Sequence, residues 1–307
     1  MTFKRMTATV AVAASFLTAS AAVAEPESNQ PIRISQGDWT GNVFTSTLAA
    51  ELLGKMGYNV QIVPITGASV YSSLGNGDLT VQIEGWSTSE GDLIDAAVAT
   101  GKVENLGSMG LVGMDRWWYP SYIKEDCPGL PSYKALNDCA KLFSTVETGD
   151  SGRLLLYPDD WGGFDEERVK ALGLNFKVAH AGGEAALLAE VQSAYKRRAP
   201  ILVWLYEPHW APATFDGEYV ELPPYTEECY QSESYACEKP TGPIYKVVNA
   251  DMVETWPKAY AFMKNFQISN EEYGNVIKKI DVDKTSVEDV VADWIAKNQD
   301  RWSAWMQ

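Results

Sequence analysis

An α/β fold is the class this sequence predicts. Short alternating apolar runs are separated by segments with helical periodicity, which is the pattern of strand–helix–strand units on a parallel sheet. At 307 residues and 46% apolar composition the chain buries a large core and has the length of about two domains. Beyond the N-terminus no run of about 20 apolar residues occurs, so no membrane span is predicted.

The elements follow in order. Ile32, Arg33 and Ile34 alternate as a short strand. Residues 42–56 carry Val43, Leu48, Leu52 and Leu53 at helical spacing and stop at Gly57. Residues 58–65 alternate again, with Val60 and Ile62 on one face and Asn59 and Gln61 on the other. A short helix over 69–74 is broken by Gly75 and Gly77, and 79–84 forms a third strand. In the middle section, 143–146 reads as a strand and 149–152 as a loop. Residues 153–157 open a helix that Pro158 stops. Helices over 166–172 and 183–196 then flank strands at 176–179 and 200–205. Residues 215–240 are acidic and Tyr-rich, and read as a long surface loop. At the C-terminus Thr285-Ser286-Val287-Glu288 is a capping box. It opens a helix whose apolar face is Val287, Val290, Val291, Trp294 and Ile295, and Trp294, Trp302 and Trp305 are assigned to the core.

Residues 1–24 stand apart as a signal peptide. Lys4 and Arg5 precede an Ala-rich apolar run, and Ala22-Val23-Ala24 is an A-x-A cleavage site, so the mature protein is expected in the periplasm. The h-region is too short for a membrane anchor. Four cysteines suit an oxidising compartment and fall as two local pairs, Cys127 with Cys139 and Cys229 with Cys237. Of the three connectivities, the short loops favour these two bridges. A zinc site would want C-x₂₋₄-C spacing with neighbouring His. Lys and Arg total 25 against 41 Asp and Glu, a net charge of −16, and this removes nucleic acid from the partners.

Enzymatic motifs are missing. The two histidines, His180 and His209, form no metalloprotease pattern, and there is no nucleophile elbow or phosphate loop. An exported glycosidase stays as a distant alternative because carboxylates are plentiful. The eleven tryptophans are more telling. Trp39 follows the first strand, Trp86 the third, and Trp204 and Tyr206 end the strand near residue 203. Trp117 and Trp118 follow a Gly-rich strand at a crossover. Ligands of open α/β sheets bind beyond the carboxyl ends of strands, so these rings point at one crevice rather than at core packing. Such rings suit a methylated cation, each worth about 0.5–2 kcal/mol when desolvated. Three or four of them together with one polar contact could reach about −8 kcal/mol, which is micromolar binding. Glu84 beside the rings would attract a cation and repel a ligand carboxylate. Ser151, with the amides of Gly152 and Arg153 at a helix start, is a candidate contact for a ligand oxygen. No cofactor is expected. The metal candidates are Asp216 and Glu218, for a structural Ca²⁺ in the acidic loop, against a plainly solvated surface.

Several segments together carry a resemblance. Asp38-Trp39, Gly77-Asp78-Leu79 through Glu84-Gly85-Trp86, and the 183–188 helix start with Tyr195 resemble the substrate-binding proteins of glycine betaine/choline ABC importers. Glu207-Pro208-His209-Trp210 and Asp293-Trp294 with Asn298 extend the similarity over the mature chain. Among such proteins the look is nearest to trimethylamine N-oxide binders. The resemblance implies a two-lobed type II periplasmic binding fold, each lobe a mixed sheet flanked by helices. Lobe one would span 25–115 and 213–307, and lobe two 116–212. It also implies a cage of Trp39, Trp86, one or both of Trp117 and Trp118, and Trp204 or Tyr206. Relatives often carry Gly-Trp where this chain has Leu205-Tyr206, so that wall stays open between two rings. The implied ligand is trimethylamine N-oxide, with choline or glycine betaine as alternatives. The implied partner is an inner-membrane ABC permease, and the protein is expected to be a monomer.

Overall fold

A computed structural model describes residues 26–231 and 234–306, so the expected signal peptide lies outside the described residues. Among the described residues ten strands form: β1 (Ile32–Gln36), β2 (Val60–Pro64), β3 (Val81–Trp86), β4 (Val103–Pro120), β5 (Pro128–Pro131), β6 (Gly152–Leu156), β7 (Phe176–His180), β8 (Leu202–Glu207), β9 (Gly217–Tyr219) and β10 (Gly242–Asn249). The helices of the first part are α1 (Thr40–Lys55), α2 (Ala68–Asn76) and α3 (Ser87–Ala99). Those of the middle are α4 (Asp165–Ala171), α5 (Glu184–Arg197), α6 (Trp210–Thr214) and α7 (Glu227–Gln231). The C-terminal part adds α8 (Met252–Thr255), α9 (Pro257–Asn265), α10 (Asn270–Asp281), α11 (Val287–Lys297) and α12 (Gln299–Trp305). No described helix is long and apolar enough to cross a membrane.

The sheet runs β2-β1-β3-β10-β4-β8-β6-β7, with β9 added on β4. β1 is parallel to β2 and β3, and β6 to β7 and β8, while β10 and β8 lie antiparallel to β4. The long strand β4 is the seam between two halves. Its first part, from Val103 to Gly113, pairs with β10, and Met114 to Trp118 pair with β8. At the changeover Gly113 faces Gly242, the first residue of β10.

Burial explains the elements. All six residues of β3 are buried, as in a strand covered on both faces. The α1 face of Phe44, Leu48, Leu52 and Leu53 is fully buried in one core with Ile32 and Ile34. Trp294 and Trp305 stack with ring centroids 5.8 Å apart in the C-terminal core, as expected. Both cysteine pairs are bridged as read from their spacing.

Four expectations are corrected. Residues 153–157 form no helix: β6 sits between β7 and β8 with Leu154, Leu155 and Leu156 buried, and a short apolar run has no periodicity that separates the two states. The 143–146 strand is replaced by a 3₁₀ turn over Ala140–Phe143, whose Phe143 packs on Phe176 while Val146 is exposed. The α11 cap is Ser286, which accepts from the Asp289 N–H, one residue later than the sequence pattern. The complete capping box is at Ser269 and Glu272 on α10. The 215–240 segment is more than a surface loop of the first lobe. β9 pairs with the end of β4 in the second half, and Tyr235, Cys237 and Lys239 are buried.

Gly217 marks that junction, because a Cβ there would fall 1.9 Å from the Trp118 ring. Gly217→Ala is expected to cost about 1–3 kcal/mol of overpacking. A thermal melt should show it as a drop of several degrees.

Candidate functional site

A cavity of about 50 Å³ lies where the two halves face each other. That volume holds roughly four water-sized groups. The first half lines it from the carboxyl ends of three strands. Trp39 follows β1, Thr66 and Gly67 follow β2, Trp86 ends β3, and Ser89 and Glu90 begin α3. From the second half come Asp115 of β4, Tyr157, Trp161 and Gly162 after β6, and Trp204 and Tyr206 of β8. Trp204 and Tyr206 are two apart on one strand, so both face the same side.

The rings make a continuous wall. Trp39 meets Trp161 edge-on at 5.3 Å between centroids, and Trp86 meets Tyr206 in the same way at 5.3 Å. Trp204 contacts Tyr157 at 4.7 Å, Tyr206 at 5.4 Å and Trp161 at 6.0 Å. Carboxylates fix nearly every one of these rings by its polar atom. Glu84 Oε2 accepts from Trp39 Nε1 at 2.8 Å, from Trp86 Nε1 at 3.4 Å and from the Tyr273 hydroxyl at 2.9 Å. Its other oxygen accepts from Thr45 at 2.6 Å. Trp204 donates to Asp115, Trp161 to Asp38, Tyr157 to Asp165 and Tyr206 to Glu184.

The two sides differ in charge compensation. On the second side Lys239 Nζ sits 2.6 Å from Asp115 and 3.0 Å from Asp165, and Arg168 is 2.8 Å from Asp165. Burial alone would raise Asp165, but Lys239 and Arg168 outweigh it and hold the carboxyl below its ordinary range. On the first side Glu84 has four donors and no cation among its bonds, and burial raises its pKa. Burial also pushes Glu90 up to about 7, against the bonds from the Tyr71 hydroxyl and the Trp86 N–H. Both of those bonds go to Oε2, so Oε1 takes part in neither. Asp115 Oδ1 is buried and has no hydrogen-bond partner.

The structure brings Trp39, Trp86, Trp204 and Tyr206 to one cavity and sends the other candidates elsewhere. Glu84 is wholly buried beneath the rings and does not line the space: it positions Trp39 and Trp86. Trp117 and Trp118 are mid-strand residues, because β4 continues to Pro120. Trp117 donates to Asp165, and Trp118 packs at Gly217. Ser151 precedes a strand, not a helix, and donates to Asn175 at the end of β6 away from the cavity. Asp216 accepts from Ser121, and Glu218 pairs with Lys124. Among the described residues neither falls in a cluster of three metal-ligating side chains, and Glu233 of that loop lies outside them. Sequence reasoning missed Tyr157, Trp161, Glu90 and Asp115. With β6 read correctly as a strand, the strand-end rule would have found Tyr157 and Trp161.

Glu90 gives a pH signature. Its pKa rises from an ordinary 4.5 to about 7 on folding, so the folded protein holds the extra proton between those values. Stability therefore falls as pH rises through that window. Glu90→Gln should flatten the decline, read as melting temperature against pH, and an unchanged slope would refute the assignment.

Comparison with known proteins places this geometry. The family described as the substrate binding domain of ABC-type glycine betaine transport systems matches residues 30–297. A trimethylamine N-oxide-binding protein of Pelagibacter ubique (strain HTCC1062) is 32% identical over 289 residues, covering 90% of this chain and 91% of that protein. A glycine betaine/proline betaine-binding periplasmic protein of Escherichia coli (strain K12) is 27% identical over 181 residues, 57% of this chain and 54% of its own. An ABC-transporter choline-binding protein solved with choline shares the fold with a TM-score of 0.76 at 20% identity, over 92% of this chain and 93% of its own. Lactococcal OpuAC, solved closed with glycine betaine, has a TM-score of 0.72 at 15% identity, over 91% of this chain and 100% of its own. The two-lobed mixed α/β fold is common to them, and with a family match over most of its length the chain belongs to the substrate-binding domains of ABC-type glycine betaine transport systems.

Proposed function

We propose that this protein is a periplasmic receptor for trimethylamine N-oxide that hands its ligand to an inner-membrane ABC permease, without catalysis. The carrying observation is a small cavity walled by four indole and two phenol rings, with Glu90 and Asp115 as its acidic lining. Such faces attract a trimethylated nitrogen through their quadrupoles. The volume favours the smallest methylated amine: an N-oxide adds one oxygen to the head, whereas glycine betaine adds a carboxymethyl arm. No Arg lines the cavity, and the nearby Lys239 is already paired with Asp115 and Asp165, so a ligand carboxylate would meet Glu90 and Asp115 unpaired. Glu90, with a pKa of about 7, is suited to donate from Oε1 to an N-oxide oxygen. The relative that binds trimethylamine N-oxide, similar over nine-tenths of both chains, supports the same ligand.

The two halves of the sheet act as lobes, residues 26–113 with 242–306 against 114–231 with 234–241. Contacts across them include Trp161 Nε1 to Asp38 at 3.0 Å and the Thr40 N–H to Glu184 at 2.7 Å. These bonds tie two cavity walls together and suit a closed receptor.

Calorimetric titration with trimethylamine N-oxide, choline and glycine betaine tests the reading. Micromolar affinity for the N-oxide is expected, with glycine betaine at least tenfold weaker. Tightest binding of glycine betaine would overturn the ligand, and silence across all three would overturn the function. Trp39→Ala and Trp161→Ala should each weaken N-oxide binding at least tenfold. Both rings are half-buried, so the melting temperature should move little.

A further inference from the structure

One cluster of metal-ligating side chains lies outside the cavity lining. His180 ends β7, and its Nδ1 is 2.7 Å from the carbonyl oxygen of Tyr157. That contact requires the hydrogen on Nδ1, so in the neutral ring Nε2 presents its lone pair. Facing Nε2 are Glu166 Oε1 at 2.6 Å and Asp159 Oδ1 at 3.7 Å. Two electron-rich atoms this close need a positive charge between them, either a proton or a metal ion.

We propose that Asp159, Glu166 and His180 form a surface site for a divalent transition-metal ion of the Zn²⁺ type. One imidazole and two carboxylates are a borderline-hard donor set suited to such ions. Bonds of 2.0–2.2 Å in a tetrahedron put ligand atoms about 3.4 Å apart. The observed 2.6 and 3.7 Å bracket that spacing. Both carboxylates are more than half exposed, so they adjust easily and an ion enters from solvent. The Tyr157 carbonyl supplies the outer contact that orients a ligating histidine. The adjoining groove carries Asp92, Asp95, Glu167 and Glu227, which raise the local cation concentration. In the other three-residue cluster, Glu184 and His209 are buried and Asp281 is half-buried. The carboxylate oxygens of that cluster already accept from Thr40, Tyr206 and Trp210.

The ion has a structural consequence. Asp159 opens the 3₁₀ turn Asp159–Trp161, which delivers Trp161 to the cavity wall. Coordination would tie that turn to β7 and α4, and so hold the ring in place. Without metal, a proton on Nε2 makes the site a His–Glu pair that the ion must displace.

The test uses the full exported chain, stripped with EDTA and titrated with zinc chloride alone by calorimetry at neutral pH. One ion per chain is expected, with His180→Ala at least tenfold weaker and Asp159→Asn and Glu166→Gln each weaker. Co²⁺ in place of Zn²⁺ should give a visible absorption band that His180→Ala removes. His180→Gln serves if the alanine variant does not fold. No binding to the wild-type chain, or unchanged affinity in a folded His180 variant, overturns the site.

Discussion

The hydrogen bond from an indole N–H to a buried carboxylate is the constraint on which this structure depends. A tryptophan at a cavity wall has one polar atom, and when it is removed from water that atom must find an acceptor. Here the acceptor is a carboxylate for six indoles: those of Trp39, Trp86, Trp117, Trp161, Trp204 and Trp210. For the four that line the cavity, Trp39, Trp86, Trp161 and Trp204, the bond anchors the ring by its polar edge. The acidic composition and the tryptophan excess are therefore partly one feature. Some of the acids are the mounts of the rings.

Mounting rings on carboxylates has an electrostatic result. A buried carboxylate is costly unless it is paired or amply hydrogen-bonded. The second lobe meets that cost with cations, Lys239 and Arg168 against Asp115 and Asp165. The first lobe uses neutral donors alone at Glu84. The cavity is thus asymmetric: no cation faces the acids of its first-lobe wall, and burial raises the pKa of both Glu84 and Glu90. A ligand with a diffuse positive charge completes that balance, whereas one with an extended carboxylate worsens it.

Much of this was legible in the sequence, for identifiable reasons. Trp39, Trp86 and Trp204 were found because strand ends in an α/β sheet converge, and alternation along β8 brings in Tyr206 beside Trp204. The errors arose where local pattern is silent. The buried run 152–156 has no periodicity, so taking it for a helix hid Trp161 and misplaced Ser151. The seam strand β4 is 18 residues long and continues past Trp117 and Trp118, so the apparent strand end was mid-strand. Glu84 was singled out as a group facing the ligand, but that role turned on whether it lay in front of the rings or behind them. Only tertiary packing decides that. Lys239 was unreadable, because nothing near it in sequence announces that an acidic segment returns a buried cation to Asp115.

The pairing of Gly113 with Gly242 has a mechanical meaning. These are neighbouring points at which the sheet passes from its β10-paired half to its β8-paired half, and neither carries a side chain. A Cβ on Gly113 would press on the Trp86 ring at 2.7 Å, and one on Gly242 on Ser87 at 2.3 Å. The fulcrum of any rotation between the lobes is thereby set directly against the floor of the cage. A lever pivoted there moves its near end least and its far end most. Trp86, packed against that point, is the cage ring such a rotation would displace least.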